Sequence, residues 1–250
     1  MKSGFFWLCP QNDKLSLILF LVLLSSAARA GLVAVDVGHY LAEPGATSAR
    51  GRPEFEFNRR LAMEIVKALR DRKIGVQVVG ADGGMVRLTS RTATARDADF
   101  FLSVHHDSAQ EHFLEAWDFD GTPQRFSDRF AGFSLFVSRK SAYLARSLRC
   151  ASAMGAELRE AGFTPSLYHA DNIPGERKPF ADRENGVHYY DNLIVLKTAR
   201  SPAVLLEAGV IINREEELKL LSPGVHARMA AAVARALARC LPPGARPAAD

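Results

Sequence analysis

The chain has 250 residues and a formal net charge of +4, with 48% hydrophobic and 24% charged residues. These proportions are typical of a globular protein with one sizeable core, and they exclude a low-complexity or largely disordered chain. No basic tract indicates nucleic-acid binding.

The first 30 residues have the pattern of a secretory signal peptide. Lys2 and Lys14 precede an apolar run over residues 15–24, and Ala-Arg-Ala at 28–30 matches a cleavage site. The run is shorter than the about 20 apolar residues of a membrane span. We therefore predict a periplasmic or secreted mature protein without a stable membrane span. An uncleaved anchor is the alternative.

Cleavage there removes three of the 32 basic and one of the 28 acidic residues, which leaves a net charge of +2. This mild positive charge is compatible with an anionic cell wall. Two cysteines remain, Cys150 and Cys240. An oxidising compartment permits a disulfide between them, and two buried free thiols are the alternative.

Along the mature chain, short apolar runs alternate with helical patterns, which predicts a three-layer α/β/α domain over residues 31–243. Its sheet is expected to be mixed and largely parallel, flanked by helices, and residues 244–250 are expected to be a disordered tail. Residues 163–192 are highly charged and predict a long loop or an irregular insert. The predicted strands cover 32–37, 74–79, 99–105, 133–137, 193–196 and 203–206, and the predicted helices 53–69, 89–98, 141–161 and 225–241.

Four polar residues lie where the predicted strands meet loops or a helix begins, which is where open α/β sheets place their sites. His39 follows the first strand, His105 ends the third, Glu207 ends the last, and Glu54 begins the first helix. Two imidazoles and a carboxylate are a ligand set of catalytic zinc, and a further carboxylate can take a proton from water. Taken singly, each residue also has a simpler structural explanation.

The segments around these residues match known motifs in order. Residues 35–39 (VDVGH) are similar to a D-P-G-H segment, and residues 54–58 (EFEFN) to an E-x-D-x-N helix start. Residues 98–105 (ADFFLSVH) are similar to A-D-L-F-I-S-I-H, and residues 205–213 to L-V-E-x-G-F…N. Together the segments resemble the zinc-dependent N-acetylmuramoyl-L-alanine amidases of the amidase-3 type.

This resemblance implies that His39, Glu54 and His105 bind one Zn²⁺ and that Glu207 is the catalytic acid/base. Arg91 stands where the family has an arginine, and we expect it to bind substrate. The implied reaction is hydrolysis of the amide bond between N-acetylmuramic acid and L-alanine in peptidoglycan, during cell-wall remodelling or septum splitting. A periplasmic activator protein is an additional partner that the resemblance allows.

Two departures from the family motifs affect the first loop and the third ligand. Val37 and Tyr40 replace a proline and a glycine, which leaves the path of the first loop open. His106 follows His105, and we favour His105 as the ligand because its neighbour points to the opposite side of an extended strand.

Glu56 competes with Glu54 as a ligand, but the two are separated by about 200° around a helix axis, and Glu54 matches the motif through Asn58. The other histidines fit no motif and are expected to be ordinary surface or loop residues: His112, His169, His188 and His226.

Two functional alternatives remain. One is another zinc peptidase that acts on the stem peptide, since its ligand set is the same. The other is a non-catalytic peptidoglycan-binding relative. For residues 163–192, the alternative to a solvated loop is an element that borders the zinc cleft and covers it or contacts the stem peptide.

Overall fold

The computed structural model describes Met1 and residues 31–241. The predicted signal peptide, apart from Met1, and the predicted tail 244–250 lie outside the described residues. Within the described part, no helix has both the length and the apolarity that a membrane span requires.

The domain is built on a seven-stranded mixed sheet with helices on both sides, as predicted. The strands are β1 (Leu32–Val37), β2 (Gly75–Val79), β3 (Phe100–Asp107), β4 (Glu115–Phe119), β5 (Thr122–Phe126), β6 (Ser134–Val137), β7 (Phe180–Asp182), β8 (Val187–Tyr189) and β9 (Ala203–Val210). The helices are α1 (Glu54–Asp71), α2 (Leu88–Thr94), α3 (Leu144–Glu160), α4 (Ile194–Thr198), α5 (Arg214–Leu220) and α6 (Pro223–Cys240).

The strand order is β2-β1-β3-β9-β6-β8-β7, with β4 and β5 forming a separate hairpin. The neighbouring strands β2, β1, β3 and β9 are parallel to one another, and β6 runs antiparallel to β9. The carboxyl ends of β1, β3 and β9 therefore meet at one edge of the sheet. This edge carries the candidate site.

Both faces of the central strands are buried, which explains their continuous apolar sequences. Val35 and Leu102 lie on the face that α1, α3 and α6 cover. Ala34, Phe101 and Leu205 lie on the opposite face, where they pack with apolar residues of α4. Each strand is thus fixed in register by side chains on both sides of the sheet.

A disulfide joins Cys150 of α3 to Cys240 of α6, with their Cα atoms 5.6 Å apart. It decides between the two alternatives left open by the sequence. Nearby, the buried Glu157 of α3 lies 2.5 Å from Arg235 Nε and 2.6 Å from Arg239 Nη1 of α6. The two helices are therefore held together by a covalent bond and by ion pairs.

The predicted strand at residues 193–196 is wrong. Leu193 is the N-cap of helix α4, and residues 194–196 belong to that helix. The error is physical, because a short apolar run fits a buried strand and a buried helical turn equally well. Residues 163–192 form an irregular insert, one of the two predicted alternatives, and we call this segment the insert. They contain β7, β8 and a helical turn at Tyr168–Ala170.

The β4–β5 hairpin was not predicted from the sequence, although its turn has a clear signal. Asp120 and Gly121 both have positive φ (53° and 73°), as an Asp-Gly hairpin turn requires. Asn185-Gly186 lies in the connection from β7 to β8, with Gly186 at φ 66°. Turn residues alone would have indicated both strand pairs.

Three of the four histidines expected at the surface or in loops are buried, and only His112 is exposed. His188 lies in β8 with Nδ1 3.1 Å from the Lys178 carbonyl oxygen, and burial lowers its pKa to about 4. Burial also lowers the pKa of His226. The prediction failed because the partners that bury these rings are distant in sequence.

Candidate functional site

His39, Glu54 and His105 form a cluster at the carboxyl edge of the sheet. The first follows β1, the second opens α1 and the third lies in β3. Glu54 Oε2 is 3.0 Å from His39 Nε2, and Glu54 Oε1 is 3.2 Å from His105 Nδ1. One nitrogen or oxygen atom of each residue lies within 4.8 Å of the other two.

Two glycines allow these side chains to approach so closely. A Cβ on Gly38 would lie 2.3 Å from His105 Cε1, and one on Gly45 would lie 2.3 Å from Glu54 Oε2. Both distances are far shorter than real carbon contacts. His39 itself adopts φ 65°, a left-handed conformation that is uncommon outside glycine and occurs often at functional sites.

Arg91 is buried and holds the backbone of the loop around His39. It is 1% exposed and forms an ion pair with Asp36 at 2.7 Å. Its guanidinium donates hydrogen bonds to the carbonyl oxygens of Val37, His39 and Met85. The structure therefore places Arg91 as a support of the His39 loop, and its direct contact with substrate stays a prediction.

The loop after His39 is a tight turn, despite the two departures from the family motif. The Tyr40 and Glu43 backbones pair, with N···O distances of 3.3 and 3.1 Å. The carbonyl of Val37, which stands where a proline was expected, accepts a hydrogen bond from Arg91 at 2.5 Å.

Glu54 is buried but remains ionised. Burial raises its pKa, but hydrogen bonds with His105 and His39 outweigh this effect and hold the pKa well below its ordinary value. Asn58 Nδ2 also donates to Oε1 at 2.9 Å, and the backbone N–H of His106 does so at 3.3 Å. An ionised carboxylate beside two imidazoles is a good donor set for a cation.

The two competing residues point elsewhere. His106 is buried with Nδ1 2.8 Å from Asn58 Oδ1, and burial lowers its pKa to about 3. The Glu56 carboxylate is exposed and lies 3.8 Å from Arg52 Nη1. The cluster therefore contains Glu54 and His105 and neither alternative.

The cluster has a geometry suited to zinc. Four ligand atoms about 2.0–2.1 Å from a tetrahedral Zn²⁺ are about 3.3 Å apart from one another. The two carboxylate–imidazole distances, 3.0 Å to Glu54 Oε2 and 3.2 Å to Glu54 Oε1, are close to that value, and one ligand atom from each residue lies within 4.8 Å of the other two. Nitrogen and oxygen donors are also those that zinc accepts, so the residues present fit a zinc ion.

Glu207 lies in β9 directly opposite His105 of β3. Its side chain is partly exposed, whereas its Oε2 atom is buried without a hydrogen-bond partner among the described residues. Burial raises its pKa well above the ordinary value, and the negative charges of Asp107 and Glu54 raise it further. Such a carboxyl group can hold a proton close to the cluster and release it.

These residues border a cleft of ≈ 510 Å³. Its polar lining comes from seven residues: Asp36, His39, Tyr40, Glu43, Arg91, His105 and Glu207. Most of the remaining surface is apolar and comes from the approaches to α2 and α4 and from β9: Val86, Leu88, Leu193, Ile194, Val195 and Leu205.

A buried charge network, which was not predicted from the sequence, fixes residues 163–192 to the end of β3. His169 is 4% exposed and lies 2.9 Å from Asp107 Oδ2 and 2.8 Å from Glu176 Oε2. Tyr168 also donates to Asp107, and Lys178 Nζ is 2.6 Å from Glu176 Oε2. The insert is thereby docked near Glu207, on which the Lys178 charge acts.

Several solved structures with the same fold are N-acetylmuramoyl-L-alanine amidases. The N-acetylmuramyl-L-alanine amidase Ami1 from Mycobacterium smegmatis has a TM-score of 0.67 at 20% identity, covering 86% of this chain and 98% of that one. The catalytic domain of CwlV from Bacillus (Paenibacillus) polymyxa var. colistinus has a TM-score of 0.63 at 24% identity, covering 84% and 97%. CwlD from Clostridioides difficile, in complex with the GerS lipoprotein, has 0.63 at 16% identity, covering 84% and 98%.

These identities are low, and the solved structures establish the fold alone. A search of curated protein sequences gives no significant match. The family model described as N-acetylmuramoyl-L-alanine amidase, Amidase_3, matches residues 33–239, which is most of the chain. The chain therefore belongs to the amidase-3 family of N-acetylmuramoyl-L-alanine amidases.

Proposed function

We propose that this enzyme uses one Zn²⁺ to hydrolyse the amide bond between N-acetylmuramic acid and L-alanine in peptidoglycan. The observation that carries the proposal is the convergence of His39, Glu54 and His105 beside Glu207, in a cleft open to substrate. Family membership supports the bond that is cut. The donor set of the cluster supports the metal.

Each residue has one role in this mechanism. His39, Glu54 and His105 hold the ion, and the Arg91 hydrogen bonds keep the His39 loop in its left-handed conformation. When bound, Zn²⁺ supplies a Lewis acid that polarises the substrate carbonyl and makes water more acidic.

Glu207 moves the proton. A cation held by the cluster favours its ionised form, which accepts a proton from the attacking water at the carboxylate. The burial that raises its pKa then makes the protonated form a good donor to the L-alanine nitrogen, and the C–N bond breaks. The products are the muramic acid carboxylate and a free amino terminus.

The place of action follows from the sequence features and the family. We propose that residues 1–30 are a cleaved signal peptide, that residues 31–243 are the catalytic domain and that the enzyme works in the periplasm or outside the cell. The CwlD structure contains a lipoprotein partner. By analogy, we propose that this enzyme also has a protein partner, an activator. Its proposed role is cell-wall remodelling or septum splitting.

Digestion of purified sacculi by protein from residue 31 onward tests the proposal. Stem peptides that begin with a free L-alanine amino terminus, detected by mass spectrometry, are the expected product, and Glu207→Gln is the control that should release none. Cleavage inside the stem peptide would indicate a zinc peptidase instead. Binding to sacculi without any release would indicate a non-catalytic relative.

A further inference from the structure

The segment that leads into Glu54 contacts the Glu54 carboxylate with its backbone. Residues 46–53 connect the turn after His39 to helix α1, and we call them the 46–53 loop. The Ala46 N–H group donates to Glu54 Oε2 at 3.0 Å, and the Glu54 N–H group donates to the Ala46 carbonyl oxygen at 2.8 Å. Oε2 is also the oxygen that lies 3.0 Å from His39 Nε2. The position of the 46–53 loop therefore affects the orientation of the carboxylate within the cluster.

A buried carboxylate on α5 holds the 46–53 loop. Glu217 is fully buried, and its Oε1 atom accepts hydrogen bonds from Ser48 Oγ at 2.7 Å and from the Arg50 N–H group at 3.3 Å. Its Oε2 atom accepts a hydrogen bond from Arg50 Nη1 at 2.7 Å. All the hydrogen bonds that the Glu217 side chain makes with described residues thus come from the loop.

The β4–β5 hairpin makes a second set of contacts with the 46–53 loop. Trp117 Nε1 donates to the Ala49 carbonyl oxygen at 3.0 Å. The Arg50 guanidinium carbon lies 5.5 Å from the centre of the Trp117 ring and 5.4 Å from the centre of the Phe119 ring. The loop is therefore held both by α5 and by the hairpin.

Stability alone is a weak reason for the buried Glu217–Arg50 pair. Removing two charged groups from water can cost as much free energy as their attraction returns, and apolar residues of similar volume are often equally stabilising. What a buried carboxylate does fix is the position of its donors, because any departure from that geometry leaves a polar group unpaired. Here the donors belong to the loop that contacts Glu54.

We propose that Glu217 and Trp117 are positioning residues for the metal site, which hold Ala46 against the Glu54 carboxylate through the 46–53 loop. The inference rests on the proposed function, in which Glu54 is a zinc ligand. Ligating carboxylates need hydrogen-bond partners that orient them, and loss of such a partner typically lowers metal affinity by about 10–100-fold. Neither Glu217 nor Trp117 lines the cleft, so both act through the loop.

The zinc affinity of protein from residue 31 onward provides the test. The protein is freed of metal and titrated with Zn²⁺ in competition with a chromophoric chelator, which gives the dissociation constant of each variant. Glu217→Gln keeps the size of the side chain but replaces one acceptor oxygen by an amide nitrogen, and it should weaken zinc binding by about tenfold or more. Trp117→Phe removes one hydrogen bond and should weaken zinc binding by about two- to tenfold.

Glu157→Gln is the matched control. Glu157 is a buried carboxylate on a helix, as Glu217 is, but its two arginine partners lie on α6 rather than in the 46–53 loop. This variant should lose stability in denaturant unfolding and keep the wild-type dissociation constant for zinc. If Glu217→Gln does not fold, Ser48→Ala replaces it, because this change removes only the hydroxyl group that donates to Glu217. It should weaken zinc binding by about two- to tenfold.

Wild-type zinc affinity in Trp117→Phe and in the Glu217 or Ser48 variant would overturn the inference. An equal loss of affinity in Glu157→Gln would also overturn it, because the effect would then follow from lost stability anywhere in the domain. A wild-type protein that binds no zinc would instead contradict the proposed function itself, so the two failures are distinguishable.

Discussion

His105 and Glu207 lie directly opposite each other on the adjacent parallel strands β3 and β9, and the register of the two strands shifts immediately after this pair. The β3–β9 ladder thus places a candidate metal ligand beside the proposed proton carrier. Irregularities of this kind are common next to active sites because they redirect the chain that follows. Here the chain beyond the shift carries Asp107, which anchors the insert through Tyr168 and His169.

The first prediction concerns zinc content. Protein from residue 31 onward should bind about one zinc per chain, and His39→Ala or His105→Ala should remove most of it because each takes away one of three protein ligands. Metal analysis after gel filtration measures this. His112→Ala is the control, since His112 is exposed and outside the cluster. Full occupancy in both cluster variants would contradict the metal assignment.

Glu207→Gln should keep the zinc and the fold but reduce hydrolysis by about 10²–10⁴-fold, because a neutral amide cannot accept the proton. The free energy of unfolding should change little, because burial raises the pKa of the Glu207 carboxyl group well above its ordinary value and an uncharged amide is similar to the protonated acid. Zinc content, thermal unfolding and turnover on sacculi are measured together. Loss of zinc along with activity would make Glu207 a ligand, and near-normal turnover would exclude it from the mechanism.

Arg91→Met tests whether this residue supports the loop or contacts substrate. The variant leaves Asp36 buried without its cation, so the free energy of unfolding should fall by about 3–5 kcal/mol. Its zinc affinity should also weaken, because the His39 loop loses two carbonyl contacts. Arg96→Met, at a residue whose side chain is 66% exposed, is the control. Unchanged stability with a raised KM would instead indicate direct substrate contact.

The sequence predicted which strands carry His39, His105 and Glu207, because that prediction needed only local information. Two of these strands run farther than predicted: β3 continues to Asp107 and β9 to Val210. The register that aligns His105 with Glu207 depends on packing across the sheet and could not be predicted from either strand alone.

The parts that could not be predicted depend on contacts between distant residues. The apolar run before Thr198 becomes a helix because it packs against the sheet as a separate layer. His169 looks like an ordinary loop histidine until Asp107 and Glu176 are placed around it. Arg91 looks like a substrate contact until the carbonyl groups of the His39 loop surround it.

The disulfide gives a stability prediction. Replacing Cys150 and Cys240 by serine should lower the free energy of unfolding by about 4–5 kcal/mol, because the bond closes a loop of about 90 residues in the unfolded chain. Denaturant unfolding of oxidised, reduced and double-serine protein measures the effect. Thiol titration of unfolded, unreduced mature protein is the direct check, and two free thiols per chain would contradict the bond.

The last prediction concerns the anchor of the insert. Burial lowers the pKa of His169, but hydrogen bonds to Asp107 and Glu176 outweigh it and raise the pKa above its ordinary value. A raised pKa in the folded state means that the stabilisation is fully present below about pH 6.5 and is lost as the pH rises through the folded-state pKa.

His169→Asn should therefore destabilise the protein by about 1–3 kcal/mol at pH 6 and by less at pH 9. Urea unfolding of the wild-type protein and the variant at the two pH values measures the effect. Subtracting the two free energies of unfolding at each pH removes the contribution of titrating groups that both proteins share. The exposed His112→Asn is the matched control, because His112 lies outside the network of Asp107 and Glu176, and it should change the free energy of unfolding little. A destabilisation that is equal at both pH values would mean that His169 is neutral in the folded protein. The network would then be held together by neutral hydrogen bonds, with the insert docked equally well across the whole range.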